Sequence, residues 1–294
     1  VTQAPRVDPA AVPIQPAATI MLLDDRPDLH VLLLRRRAGS AFVGGMSVFP
    51  GGGVDPADAE SEVETLCAGL DDRRASVRLG VERGGLAYWV AAVRETFEEA
   101  GVLLAVDAAG ASVDCASPAA SERLAVLRSE VDAGRARLAD AIRGEGLRLA
   151  MDRIHYAARW ITPVGPPRRY DTRFFVAALP AGQTPLHDAR EAVHSEWLPP
   201  AQALTQFARG SLAMLPPTVG MLRILAGFAR ARDAMAAAAA HEDGADRPAR
   251  ITSDGEGWRV LLPGDADYDS APAQEMRAWV RLLPGSGAPD LSRA

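Results

Sequence analysis

The sequence predicts an α/β fold with a mixed sheet, and three observations carry that prediction. Strand-like apolar runs alternate with helix-period segments along most of the chain, which packs helices on a sheet. Its 294 residues, 48% of them apolar, are enough to bury a sizeable core. One segment, Leu86 to Ala100, places Leu86, Val90, Val93, Phe97 and Ala100 on one side of a helix and three glutamates on the other.

In chain order, a flexible tail is expected over residues 1–16, rich in proline and alanine. Ala18 to Leu23 and His30 to Arg36 read as strands joined by an Asp-Asp-Arg-Pro-Asp turn. Val48 enters a glycine-rich turn. Residues 59–84 read as one or two short helices, with Val63, Leu66 and Leu70 as the apolar stripe. A helix follows to Ala100, stopped by Gly101, and Val102 to Val106 reads as a strand. Residues 119–153, charged and rich in Ala and Leu, predict one or two further helices. Tyr156 to Ile161 and Thr172 to Ala178 carry the aromatic and β-branched residues of strands. Ala201 to Phe207 and Pro217 to Ala239 read as helical, the second with a proline start. The polar stretch 241–256 is expected as a linker, and 257–294 as a small C-terminal extension with strands at Trp258–Leu262 and Arg277–Leu283.

Composition narrows the partners. A net charge of −6 and a pI near 5.5 argue against nucleic acid or an anionic membrane. All 32 basic residues are arginine, so anion recognition falls to arginine, backbone N–H groups or metal. Cys67 and Cys115 make neither a metal spacing nor a disulfide framework. The five histidines show no ligand spacing, and Ser47 is not in a nucleophile-elbow pattern. No apolar run is long enough to span a membrane. The start lacks signal-peptide architecture and the closing Ser292-Arg293-Ala294 is not a peroxisomal address, so a cytoplasmic location is expected.

Chemistry concentrates in Arg94-Glu95-Thr96-Phe97-Glu98-Glu99-Ala100-Gly101-Val102. Glu95, Glu98 and Glu99 share an arc of roughly 100°. The Glu95–Glu99 pair repels across one helical turn, at a cost of about 0.2–0.5 kcal/mol in a free helix. A hard divalent cation would turn that repulsion into ligation. A charged helix face is more often merely solvated, so the upstream Gly51-Gly52-Gly53-Val54-Asp55-Pro56-Ala57-Asp58 turn matters. Its glycines permit close backbone approach to a ligand.

Together the two segments resemble the Nudix hydrolase signature, G-x5-E-x7-R-E-U-x-E-E-x-G-U, with U a bulky aliphatic residue. Gly52 fits the first glycine, and Arg94, Glu95, Glu98, Glu99, Gly101 and Val102 fit the second half. Asp58 stands where the family has glutamate, Thr96 replaces an aliphatic residue, and 35 residues instead of seven separate Asp58 from Arg94. A subgroup of the family, including peroxisomal-type coenzyme A diphosphatases, carries such an insertion. Trp160-Ile161-Thr162-Pro163, Arg168 to Phe175 and Leu215-Pro216-Pro217-Thr218 resemble the same subgroup.

The resemblance implies a Nudix α/β/α sandwich over residues 17–240, with 59–84 inserted inside the signature and 119–153 as a helical insertion. It implies a Mg²⁺ or Mn²⁺ cofactor with Glu95 and Glu99 as ligands, beside the carbonyl of Gly52. Glu98 would ligate through water or activate the nucleophilic water, and Arg94 would hold a glutamate in its productive rotamer. Glu191 and Glu196 are alternative bases from a later loop. Arg168, Arg169 and Arg173 are candidate phosphate grips. The implied substrate is a small-molecule nucleoside diphosphate derivative, with coenzyme A or acyl-coenzyme A as leading class. The family's coenzyme A pattern fits at Leu32, Leu33, Arg36 and Gly45 but not at Leu34, Arg37 or Ala41. An ADP-ribose or NADH diphosphatase, or a non-catalytic nucleotide-sensing module, are therefore the alternatives. Retention of all three glutamates favours an enzyme, and a homodimer stays open. The 59–84 insertion is expected to leave and return beside the cleft and to shape access to it.

Overall fold

The computed structural model describes residues 9–39, 44–113, 115, 117–186, 192–253, 258–271 and 277–284. Its strands are β1 (Ile14–Asp25), β2 (Leu29–Arg36), β3 (Ser47–Val48), β4 (Gly51–Gly53), β5 (Cys67–Ala68), β6 (Ala105–Val106), β7 (Arg148–Ala150), β8 (Ile154–Ile161), β9 (Arg169–Ala178), β10 (Ala192–Leu198), β11 (Arg247–Ser253), β12 (Trp258–Leu261) and β13 (Arg277–Val280). The helices are α1 (Ser61–Thr65), α2 (Asp72–Leu79), α3 (Leu86–Ala100), α4 (Pro118–Asp132), α5 (Leu138–Gly144), α6 (Pro200–Ala208), α7 (Pro216–Leu225) and α8 (Ala231–Ala240).

The main sheet runs β10-β2-β1-β9-β8-β13-β11-β12, with β3 on β2 and β4 on β1. It is mixed, because β1 and β9 are parallel while its other pairings are antiparallel. Alternation along the central strands separates two cores. Ile20, Leu22, Phe175 and Ala177 face α3 and the insertions, where Trp89 donates its indole N–H to the Ile154 carbonyl at 2.9 Å. Met21, Leu23, Phe174 and Val176 face α7, α8 and the C-terminal strands. The predicted α/β sandwich with a mixed sheet is thus observed. A separate three-stranded sheet, β5-β7-β6, ties the two insertions together.

Several elements differ from expectation. β1 begins at Ile14, inside the stretch expected as tail, because β9 offers a parallel partner from Arg169 onward. Glu196 was expected in a loop, and its segment is Ala192–Leu198. That segment is an edge strand on β2, and its short, charged sequence hides the buried contact of Leu198. The helix expected over Pro217–Ala239 is two, α7 and α8, broken at residues 226–230. The expected linker 241–256 contains β11, which pairs with both β12 and β13 while burying Ala249 and Ile251. Its prolines, glycines and charges suggested a loop, but pairing on two sides outweighs that local signal. The segment expected as a small extension therefore continues the main sheet through β13 and β8.

Candidate active site

Strand β4 places the glycine turn against α3. Gly51 to Gly53 pair with Thr19 to Ala17 of β1, which aligns the turn alongside the helix. Gly51 donates its N–H to Glu99 Oε2 at 2.9 Å. A Cβ built on Gly52 would lie 2.5 Å from each carboxylate atom of Glu95, so the Glu95 carboxylate rests against the bare Cα. Any side chain at 52 would occupy that place. Glu99 is only 6% exposed, and Arg36 Nη1 lies 3.5 Å from its Oε1.

Arg94 is the hub of this helix face. Its Nε and Nη2 make a fork onto Asp58 at 3.0 Å each, and Nη2 also donates to the Gly53 carbonyl at 2.8 Å. Its Nη1 donates to Glu95 Oε1 at 2.8 Å and Glu98 Oε2 at 3.3 Å. Although burial works against its charge, the Asp58 hydrogen bond and the surrounding carboxylates hold the guanidinium protonated well above its ordinary range. Asp58 also accepts the Asp55 N–H at 2.8 Å, so it both caps the turn and anchors Arg94. Burial pushes the Glu98 carboxyl up to about 7. Glu95, Asp132 and Asp58 add to the shift and Arg94 opposes it. Thr96, the other departure from the signature, is fully buried and donates its hydroxyl to the Ala92 carbonyl at 2.7 Å, satisfying its polar atom within the helix.

The last turn of α3 is held from outside. Gly101 takes φ 69°, ending the helix in the left-handed region. Arg128 of α4 donates from Nε and Nη2 to the Glu98 carbonyl at 2.9 and 2.8 Å. Sequence reading singled out neither this clamp nor the Arg36–Glu99 contact. Arg128 carried no local signal because its partner is a backbone atom thirty residues away. Arg36 stood in an Arg-Arg-Arg run, where strand alternation allowed one or two to face the site.

A cleft of about 390 Å³ opens on the sheet face that carries Ala17, Thr19, Thr172 and Phe174. Glu95, Glu99, Gly52 and Arg36 line one wall, and Thr162, Arg168, Tyr170, Leu215 and Thr218 line others. All three segments that resembled the coenzyme A subgroup thus contribute to it. Glu98 and Arg94 are not among the lining residues.

Three expectations need correction. Arg169 and Arg173 do not face the cleft, because successive strand residues point to opposite faces and Tyr170, Thr172 and Phe174 take that side. Arg169 donates to the Thr162 carbonyl. Arg173, 1% exposed, donates to the Leu79 carbonyl across the opposite core. Glu196 lies on β10 opposite Leu33 and does not line the cleft; Glu191 and Ala41 lie outside the described residues. The 59–84 insertion is a compact excursion, but none of its residues line the cleft. It packs instead on the helical insertion, through β5–β7 pairing and the Glu60–Arg137 and Glu62–Arg143 ion pairs.

A family model described as the NUDT19 Nudix domain matches residues 73–225. The chain belongs to the Nudix hydrolase family. Acyl-coenzyme A diphosphatase NUDT19 of Homo sapiens is 30% identical over 241 residues, covering 69% of this chain and 62% of that protein. The Gallus gallus protein of the same name is 28% identical over 290 residues, covering 83% of this chain and 74% of its own length. A crystal structure of a Nudix hydrolase from Alicyclobacillus acidocaldarius is also similar. It superposes with a TM-score of 0.64 at 28% identity, over 77% of this chain and 97% of that one. Nudix enzymes hydrolyse phosphoric anhydrides and generally use divalent cations.

The donor set here is compatible with such an ion. Among the described residues no three Asp, Glu, His or Cys side chains already converge on one point. Two carboxylates on the cleft wall, Glu95 and Glu99, nevertheless sit beside Gly52, which lines the same cleft. Mg²⁺ is commonly held by one or two carboxylates plus substrate phosphates, so this all-oxygen set suits it.

Proposed function

We propose that this Nudix hydrolase cleaves the diphosphate of coenzyme A or an acyl-coenzyme A. The observation that carries the reading is the cleft itself. It joins the Glu95–Glu99 wall to the Thr162, Arg168–Phe174 and Leu215–Thr218 segments on which the coenzyme A subgroup resemblance rests. The names of the human and chicken relatives point the same way.

In this reading Glu95, Glu99 and the Gly52 carbonyl would hold Mg²⁺ or Mn²⁺, which when bound would neutralise phosphoryl oxygens and lower the pKa of a water. The chain supplies positioning, the larger part of phosphoryl-transfer catalysis. Gly52 leaves room for Glu95, while Gly51 N–H and Arg36 fix Glu99. Arg94 orients Glu95 and Glu98 from behind. Glu98, with its carboxyl near 7, is poised to exchange a proton near neutral pH, reaching the cleft through water. Arg168, on the lining of the same cleft, meets the anionic substrate.

The deciding experiment is a panel of coenzyme A, acetyl-coenzyme A, ADP-ribose and NADH, assayed by product formation with Mg²⁺, with Mn²⁺ and with chelator. Metal-dependent turnover with the highest kcat/KM on a coenzyme A substrate is expected. In Glu99→Gln that turnover should fall about 100-fold or more, with circular dichroism unchanged. Preference for ADP-ribose or NADH would replace the substrate class. Near-normal activity of Glu99→Gln would remove the metal assignment.

A further inference from the structure

The N-terminus of α7 enters the cleft with unusual donor chemistry. Leu215 at the N-cap offers no side-chain cap, and prolines occupy the first two helical positions, where they lack N–H groups. Val219 N–H is already bonded to the Leu215 carbonyl at 3.1 Å. Thr218 therefore holds the only orphan N–H of this first turn. Its side chain lines the cleft although the residue is 5% exposed, and its hydroxyl has no hydrogen-bond partner among the described residues. With no protein partner, that hydroxyl is available to a ligand atom in the cleft. Arg168 lines the same cleft and likewise has no carboxylate or hydrogen-bond partner among the described residues.

We propose that Thr218, through its N–H and hydroxyl at the head of α7, and Arg168 form a subsite for a phosphomonoester on the nucleoside half of the substrate. A helix N-terminus, a hydroxyl donor and a guanidinium suit a dianionic phosphate. The register separates Arg168 from the cleavage wall. Gly53, Ala17 and Thr172 lie in one row across the sheet, and Arg168 is four residues before Thr172, up to roughly 13 Å away in extended backbone. Two anion sites along one cleft fit a substrate carrying a phosphate beyond its diphosphate. This rests on the reading above and sharpens it, because coenzyme A carries a 3′-phosphate on its adenosine, whereas ADP-ribose and NADH do not. Thr218 and Arg168 would then select between those classes.

The test uses binding, separate from turnover. Isothermal titration of the full chain should show adenosine 3′,5′-bisphosphate binding about 10-fold or more tightly than AMP. Thr218→Val, which keeps the shape and loses the hydroxyl, and Arg168→Gln should each remove most of that preference. Thr218→Ser should retain it. Equal affinity for the two ligands, or no binding of either, overturns the subsite. So does a preference untouched by Thr218→Val and Arg168→Gln, or an equal loss for both ligands. If the bisphosphate preference holds in this manner but the enzyme turns over only ADP-ribose, the subsite stands and the coenzyme A reading falls.

Discussion

Replacing Arg94 with methionine tests whether the hub is a buried clamp or a surface convenience. The variant keeps most of the side-chain volume and removes the fork onto Asp58, which is 5% exposed, together with the contacts to Glu95, Glu98 and the Gly53 carbonyl. Removing one partner of a buried pair costs about 3–5 kcal/mol, against roughly 0–1 for an exposed pair. Arg94 keeps a little solvent contact, so the lower end applies: about 3 kcal/mol. That is a large part of the ~5–15 kcal/mol that holds a domain folded. The deficit should depend on pH in a defined direction. Glu98 already titrates near 7, above its ordinary 4.5, and Arg94 is the group that lowers it. Without Arg94 its folded pKa rises further, so the native state binds a proton that the unfolded chain releases. Stability then falls as pH rises from the unfolded value through the folded one. Urea unfolding of wild type and Arg94→Met should show the largest gap near pH 8 and a smaller one near pH 5. A gap under about 1 kcal/mol at pH 8, the size of an exposed pair, would refute the clamp.

Gly52→Ala should separate site geometry from folding: the new Cβ displaces only the flexible end of Glu95, so unfolding midpoints should barely move while metal-dependent kcat/KM falls about 100-fold. Retained activity in that variant would show that Glu95 need not sit on the glycine. The kcat/KM profile should rise with pH through about 7 as Glu98 loses its proton, and Glu98→Gln should abolish the inflection along with most of the rate. An inflection surviving the substitution would assign it elsewhere. Shortening the 59–84 excursion should lower thermal stability and reduce kcat/KM evenly across the substrate panel, since none of its residues line the cleft. A change in the rank order of substrates would restore a selective role.

Much of the candidate site was readable in the chain because it is local. Leu86–Ala100 is one helix whose apolar face and glutamate face follow directly from 3.6-residue periodicity, and Gly101 ends it where glycine is best tolerated. The alternation of apolar and helical runs was likewise sufficient for an α/β fold with a mixed sheet. Decisions between distant segments were not readable. Whether Arg168 or Arg173 meets substrate depends on which face of β9 looks into the cleft, and a one-residue change of register reverses that answer. The excursion's place depends on β5 finding β7, a pairing across some eighty residues that no local pattern encodes. β10 and β11 exist because neighbouring edges complete their hydrogen bonds, although their own residues favour loops. Thr218 reads in the chain as a threonine after two prolines. Only the packing of α7 on the sheet sets that residue on the cleft lining, where its hydroxyl has no hydrogen-bond partner among the described residues, because the approach of a helix to a distant strand is a tertiary decision.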